Sequence, residues 1–160
     1  LSSCVSLAAD PSFAAQRPET RRAIAANCRA QAEWGISHRV ETAEAHAARA
    51  AWHVEEGDAQ AVLAALEASR AAAPMDYRLA SWRLALALRA LTWEQLAARA
   101  RDYLDREMRV FVASAAGVRA AGALYVEAPE VRPAMDRIAD ELTDRERARF
   151  LAAVRAAARG

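Results

Sequence analysis

Apolar residues recur along the chain at intervals of three and four, the spacing that gathers them on one face of an α-helix. Val40, Ala43, Ala47, Ala50 and Val54 form one such stripe, and Val131, Met135, Ile138 and Leu142 form another. Runs of Val, Ile, Thr and aromatic residues, which mark strands, are sparse. Stop and start signals divide the stripes. Pro18 opens the first long helix, and Gly35 stands where a C-terminal glycine belongs, so that helix should end near Trp34. The next should begin near Ser37 and close at Gly57-Asp58, with Asp58 capping its successor. Pro74 ends that one and Asp76 caps another. Thr92-Trp93-Glu94-Gln95 and Thr143-Asp144-Arg145-Glu146 read as capping boxes. The pattern predicts about seven helices, over 18–34, 37–56, 59–73, 77–91, 93–115, 130–142 and 144–158. Asp10-Pro11 has the form of an N-cap and first helical position, so a short-helix or irregular segment should occupy 1–17.

The segment from Tyr77 to Leu91 carries Leu79, Trp82, Leu84, Leu86 and Leu88 around nearly its whole circumference. A helix apolar all round is surrounded by neighbours, which makes it the expected central helix. From Val110 to Val126 only Arg119 is charged. This stretch is too short, and centrally charged, for a membrane span. It reads as a buried helix in which Gly117 and Gly122 admit close neighbours. No linker or shift in composition divides the chain, which predicts one helical domain over 1–160, an all-α stack of antiparallel helical hairpins.

Composition adds to this picture. The hydrophobic fraction is 54%, much of it alanine, the residue with the best helix propensity. A net charge of +1 argues against disorder and against nucleic acid as partner, which calls for a strongly basic face. Every basic residue is arginine, the mark of a GC-rich, bacterial genome rather than of any chemistry. Cys4 and Cys28 stand apart from any Cys-x-x-Cys or Cys/His cluster, so no zinc site is expected. Two readings of the pair stay open. They are buried free thiols, or they form a disulfide tying the N-terminal segment to the first long helix, which implies an oxidising compartment. Leu1-Ser2-Ser3-Cys4 also looks like a bacterial lipoprotein acylation box, which would anchor the chain through Cys4 after an upstream leader. These features lean towards a periplasmic or membrane-anchored extracytoplasmic location.

One stretch carries a resemblance. Gly57-Asp58-Ala59-Gln60-Ala61-Val62-Leu63-Ala64-Ala65-Leu66-Glu67, ending at Pro74, resembles the second helix of a tetratricopeptide repeat. Gly57-Asp58 match its turn, Leu66 its large apolar position and Pro74 its terminating proline, and Ala50 matches the small position of its first helix. Val62 and Ser69 depart from the repeat's small and alanine positions, and His46 and Arg49 replace its Trp and Leu. The resemblance covers one repeat, about residues 45–78. It implies stacked hairpins and a groove for a peptide or protein.

Candidate chemistry is thin. His46 and His53 lie seven apart, about 10 Å of helical rise, too far to share one metal. No nucleophile elbow, phosphate loop or dinucleotide fingerprint occurs, and no cofactor is implied. The carboxylate pairs Glu55/Glu56, Glu127/Glu130 and Asp140/Glu141 read as solvated faces, with an acid/base pair assembled in space as the alternative. Trp34, Trp52, Trp82 and Trp93 fill gaps between alanine-rich helices or line a groove. Arg78, Arg89 and Trp93 are the candidate partner-binding residues, because aromatics and Arg dominate binding hot spots. The expected function is a non-catalytic protein- or peptide-binding scaffold of a bacterial envelope assembly. The alternatives are a small glycan-cleaving helical enzyme with a carboxylate in a cleft, and a structural subunit docking through its apolar helix.

Overall fold

The computed structural model describes residues 1–40 and 42–159, the side chain of Pro11 excepted. The fold is all-α, with no strand among the described residues. Where about seven helices were expected, the described residues form eleven α-helices and one 3₁₀ turn. They fall into two compact units, Leu1–Leu96 and Ala97–Gly160.

The first unit holds α1 (Ser2–Ala9), α2 (Pro11–Ala14), α3 (Pro18–His38), α4 (Thr42–Glu56), α5 (Ala59–Ala72) and α6 (Tyr77–Ala90). Its caps form as the sequence predicts. The Asp10, Asp58 and Asp76 side chains accept from the backbone N–H groups of Ser12, Ala61 and Leu79. Gly57, at φ +75°, makes the turn between α4 and α5.

Two expectations fail here. α3 does not stop near Trp34 but runs to His38, and Arg39 takes the left-handed conformation at φ 56°. Val40 N–H returns to the Gly35 carbonyl at 2.9 Å, closing the helix end in the manner of a Schellman motif. Gly35 serves proximity instead. A Cβ there would stand 3.0 Å from the Val40 carbonyl oxygen and 3.4 Å from the Ala45 methyl, so glycine lets α3 approach the chain entering α4. That next helix starts at Thr42 rather than near Ser37, which leaves Val40 outside it and exposed. Residue 41, inside the predicted helix, lies outside the described residues.

The second failed expectation concerns the centre. α4, not α6, packs against α1, α3, α5 and α6. Ala43, Ala45, Ala47, Ala48, Ala50 and Ala51 are all buried. Alanine reads as merely helix-forming in a sequence, yet its small side chain lets several neighbours approach one helix. α6 buries Leu79, Leu84 and Leu86 but leaves Leu88 exposed and Trp82 half-buried.

α7 (Trp93–Arg99) carries the boundary between the units. Its capping box forms, with Thr92 N–H donating to the Gln95 side chain and Gln95 N–H to the Thr92 hydroxyl. The second unit holds α8 (Arg101–Ala113), α9 (Val118–Glu127), a 3₁₀ turn (Pro129–Val131), α10 (Arg132–Asp140) and α11 (Asp144–Ala157). The predicted 93–115 helix therefore breaks at Ala100, whose φ −141° and ψ 39° leave the helical region. The predicted buried helix 110–126 breaks as well. Ser114 leaves the helix, and its hydroxyl accepts from the N–H groups of Ala116 and Gly117. A Ser side chain competing for backbone donors is a helix terminator. α8 and α9 consequently meet at 119°, and among the described residues no single helix is long and apolar enough to cross a membrane. Gly122 does admit a neighbour, since a Cβ there would lie 2.6 Å from the Ala153 carbonyl carbon on α11. The Thr143 capping box on α11 is complete.

Candidate functional site

The residues picked from sequence do not converge. Arg78 and Arg89 lie on α6 eleven positions apart, roughly 16 Å along the axis. Arg78 binds Glu44 at 3.2 Å, and its guanidinium lies 4.9 Å from the centre of the Trp82 ring. Trp93 is half-buried at the start of α7. Arg89 lines a concavity together with Ala14, Arg21, Val54 and Glu55.

That recess, of about 330 Å³, is organised by one carboxylate. The Glu55 side chain is only 4% exposed. Arg89 donates to its Oε1 at 2.6 Å and Arg21 to its Oε2 at 3.0 Å. Each guanidinium then reaches the N-terminal segment. Arg89 donates to the Ala8 carbonyl and lies over the Phe13 ring. Arg21 donates to the carbonyls of Ala14 and Gln16, both at 3.1 Å. The arginines thus supply donors to the carbonyls that end α1 and α2, which have no helical partner of their own. Sequence spacing marked Glu55/Glu56 as a pair, but Glu56 is exposed and takes no part.

The larger concavity, of about 530 Å³, is lined by Leu1, Ala30, Gln31, Trp34 and Val40. Gln31 and Trp34 stand one turn apart on α3, and the left-handed turn at Arg39 brings Val40 back beside them. Trp34 is 58% exposed and Val40 43%. His38 packs against Trp34. The indole stacks on the imidazole with centroids 4.5 Å apart, and His38 Nδ1 lies 2.8 Å from the Trp34 carbonyl oxygen. A large ring fixed in place and open to solvent has the character of a binding anchor. Sequence reasoning named Trp34 only as one of four tryptophans that could fill a gap or line a groove, and picked Trp93 among them. It missed Val40 because the stripe assigned it inward.

The sulfurs of Cys4 and Cys28 stand at disulfide-bonding distance, with their Cα atoms 5.7 Å apart. That engages the sulfur which the acylation-box reading would leave for a lipid.

Burial, and secondarily the positive charge of Arg49, lowers the pKa of His46; the same causes lead for His53. Tyr125 donates to Asp136 at 3.0 Å, a bond that holds the phenol's pKa above its ordinary value. Glu141 pairs with Arg109. Among the described residues no group of three or more His, Cys, Asp or Glu side chains is placed to hold a metal ion. No family model, curated protein or solved structure matches the chain.

Proposed function

We propose that the chain is a non-catalytic helical binding module that takes an apolar peptide segment of a protein partner in the concavity beside Trp34. The observation that carries this reading is the pairing of a fixed, solvent-facing Trp34 with an apolar recess of about 530 Å³. That volume lies within the roughly 300–1,000 Å³ typical of ligand pockets. The concavity can seat one aromatic or branched side chain, while Gln31 offers a polar group to the peptide backbone. The α4–α5 hairpin is the part on which the tetratricopeptide resemblance rests. The binding face proposed here lies on α3 instead. The Cys4–Cys28 pair favours an oxidising, extracytoplasmic setting.

The enzymatic alternative would fall to Glu55, the carboxylate of the charged recess. Both of its oxygens accept guanidinium hydrogen bonds, from arginines that also hold the N-terminal segment, which favours a fastening role for this carboxylate. The docking alternative required a continuous apolar helix over 110–126, and that helix is broken at Ser114.

The test is to pan a random peptide library against the oxidised chain. Enriched peptides should share an aromatic or branched aliphatic anchor. Trp34→Ala should weaken them at least tenfold, about 1.4 kcal/mol, with the helical circular dichroism unchanged. Equal binding by the variant, or no enrichment, overturns the proposal.

A further inference from the structure

The charged recess does more than fasten the N-terminal segment. A guanidinium presents a fork of N–H donors, more than one partner can use. Arg21 commits Nε to Glu55 and Nη1 to the carbonyls of Ala14 and Gln16. Arg89 commits Nη1 to Ala8 and Nη2 to Glu55. Among the described residues no acceptor takes Arg21 Nη2 or Arg89 Nε. The two side chains are 25% and 19% exposed, and both line the recess.

The arrangement is preset for an anion. The lining carries two positive charges, Arg21 and Arg89, against the one negative charge of Glu55. Glu55 is itself almost wholly buried and fixes each guanidinium through a separate oxygen. The Phe13 ring under Arg89 fixes that one further. Guanidiniums held in place, with spare donors and surplus positive charge, match an oxyanion. The shape of the site selects among oxyanions. A phosphate group carries about −1.5 to −2 charge near neutral pH and three acceptor oxygens, enough to bridge two guanidiniums. A carboxylate offers a single charge and two oxygens in one plane. The recess, of about 330 Å³, stands at the small end of the roughly 300–1,000 Å³ of ligand pockets. Ala14 and Val54 add apolar lining beside the charges. A small ligand suits these dimensions, either phosphate itself or its ester with a short carbon chain.

We propose that this recess binds a small phosphate, with Arg21 and Arg89 as the clamp and Glu55 as the residue that positions them. None of its described lining residues belongs to the concavity beside Trp34, so the inference stands apart from the peptide-binding reading.

The test is a titration of the full chain, isotope-labelled at arginine, with inorganic phosphate at constant ionic strength. The Nε–H resonances of Arg21 and Arg89 should shift along a saturable curve. That of Arg155, exposed on α11, should not saturate. Glycerol 3-phosphate separates the two sources: tighter binding than inorganic phosphate assigns the apolar lining to an ester, and equal binding assigns the site to the free anion. Glu55→Gln removes the negative charge and keeps an accepting oxygen, so it should tighten phosphate by about threefold or more. Arg21→Lys keeps the charge and loses the fork, so it should weaken phosphate by about tenfold. Helical circular dichroism should be unchanged in both variants. If Glu55→Gln does not fold, the parent titration and Arg21→Lys decide the matter. Non-saturating shifts shared by every arginine, acetate binding as tightly as phosphate, a folded Glu55→Gln that binds no tighter, or an affinity unmoved by Arg21→Lys overturns the site.

Discussion

Two positions show how one residue's conformation or size decides its worth. Arg39 sits at φ 56°, where an L-residue pays roughly 1–2 kcal/mol that glycine does not. Glycine brings a larger unfolded-state entropy, which offsets part of the gain. Arg39→Gly should therefore raise stability by up to about 1 kcal/mol, seen as a higher urea midpoint. Gly122 has the opposite character. A methyl there would meet the Ala153 backbone rather than a side chain that could swing aside. Gly122→Ala should cost about 1–3 kcal/mol, as overpacking does, and a midpoint equal to the parent's would show that α9 and α11 separate freely. Gly35 and Gly57, which the sequence marked as helix ends, were not equally legible. Gly57 makes the turn its neighbours announce. Gly35 looks the same in sequence but is there for its size, and residue type alone does not separate turning from close approach.

Among the elements, α4 carries a pH dependence. His46 and His53 have pKa values lowered in the folded chain, chiefly by burial. Near and below the ordinary histidine value of 6.5, the unfolded chain then binds more protons than the folded one. Stability therefore rises with pH across this window and is lost as pH falls through the lowered folded values. Thermal melts from pH 8 down to pH 5 (about the histidine range) should show this loss. Replacing both His46 and His53 by Gln should flatten it, and an unaltered slope in that double variant would place the dependence in the carboxylates. The helices themselves were largely readable, because Asp58, Asp76, Thr92 and Thr143 each cap where the sequence put them. The breaks at Ala100 and Ser114 were not. No glycine or proline marks Ala100, and Ser114 ends α8 through its hydroxyl bonds to Ala116 and Gly117, one of several outcomes open to a serine in an apolar run. The candidate site was the least legible part. Trp34 and Val40 lie on opposite sides of a chain reversal that the apolar period runs straight through.

For the molecule as a whole, the cysteine pair bears on stability. Joining residues 24 apart contributes on the order of 3 kcal/mol in the chain-entropy account. In a protein of this size that corresponds to about 6–12 °C, so reduction should lower Tm by that order in a calorimetric scan. A shift of under about 2 °C would mean that the contact of Val5 and Phe13 with the first unit holds the segment alone. The alanine face of α4 has a different reach. A residue there can hardly grow without forcing neighbours apart, and only glycine is smaller. Its positions are thus among the least free to drift while the fold survives. Alanine is also among the commonest residues, so a matched alanine says little about shared ancestry, where a matched tryptophan says much. The helix that packing constrains most is therefore the one that sequence comparison weighs least, and kinship in such a fold is better sought through shape than through letters.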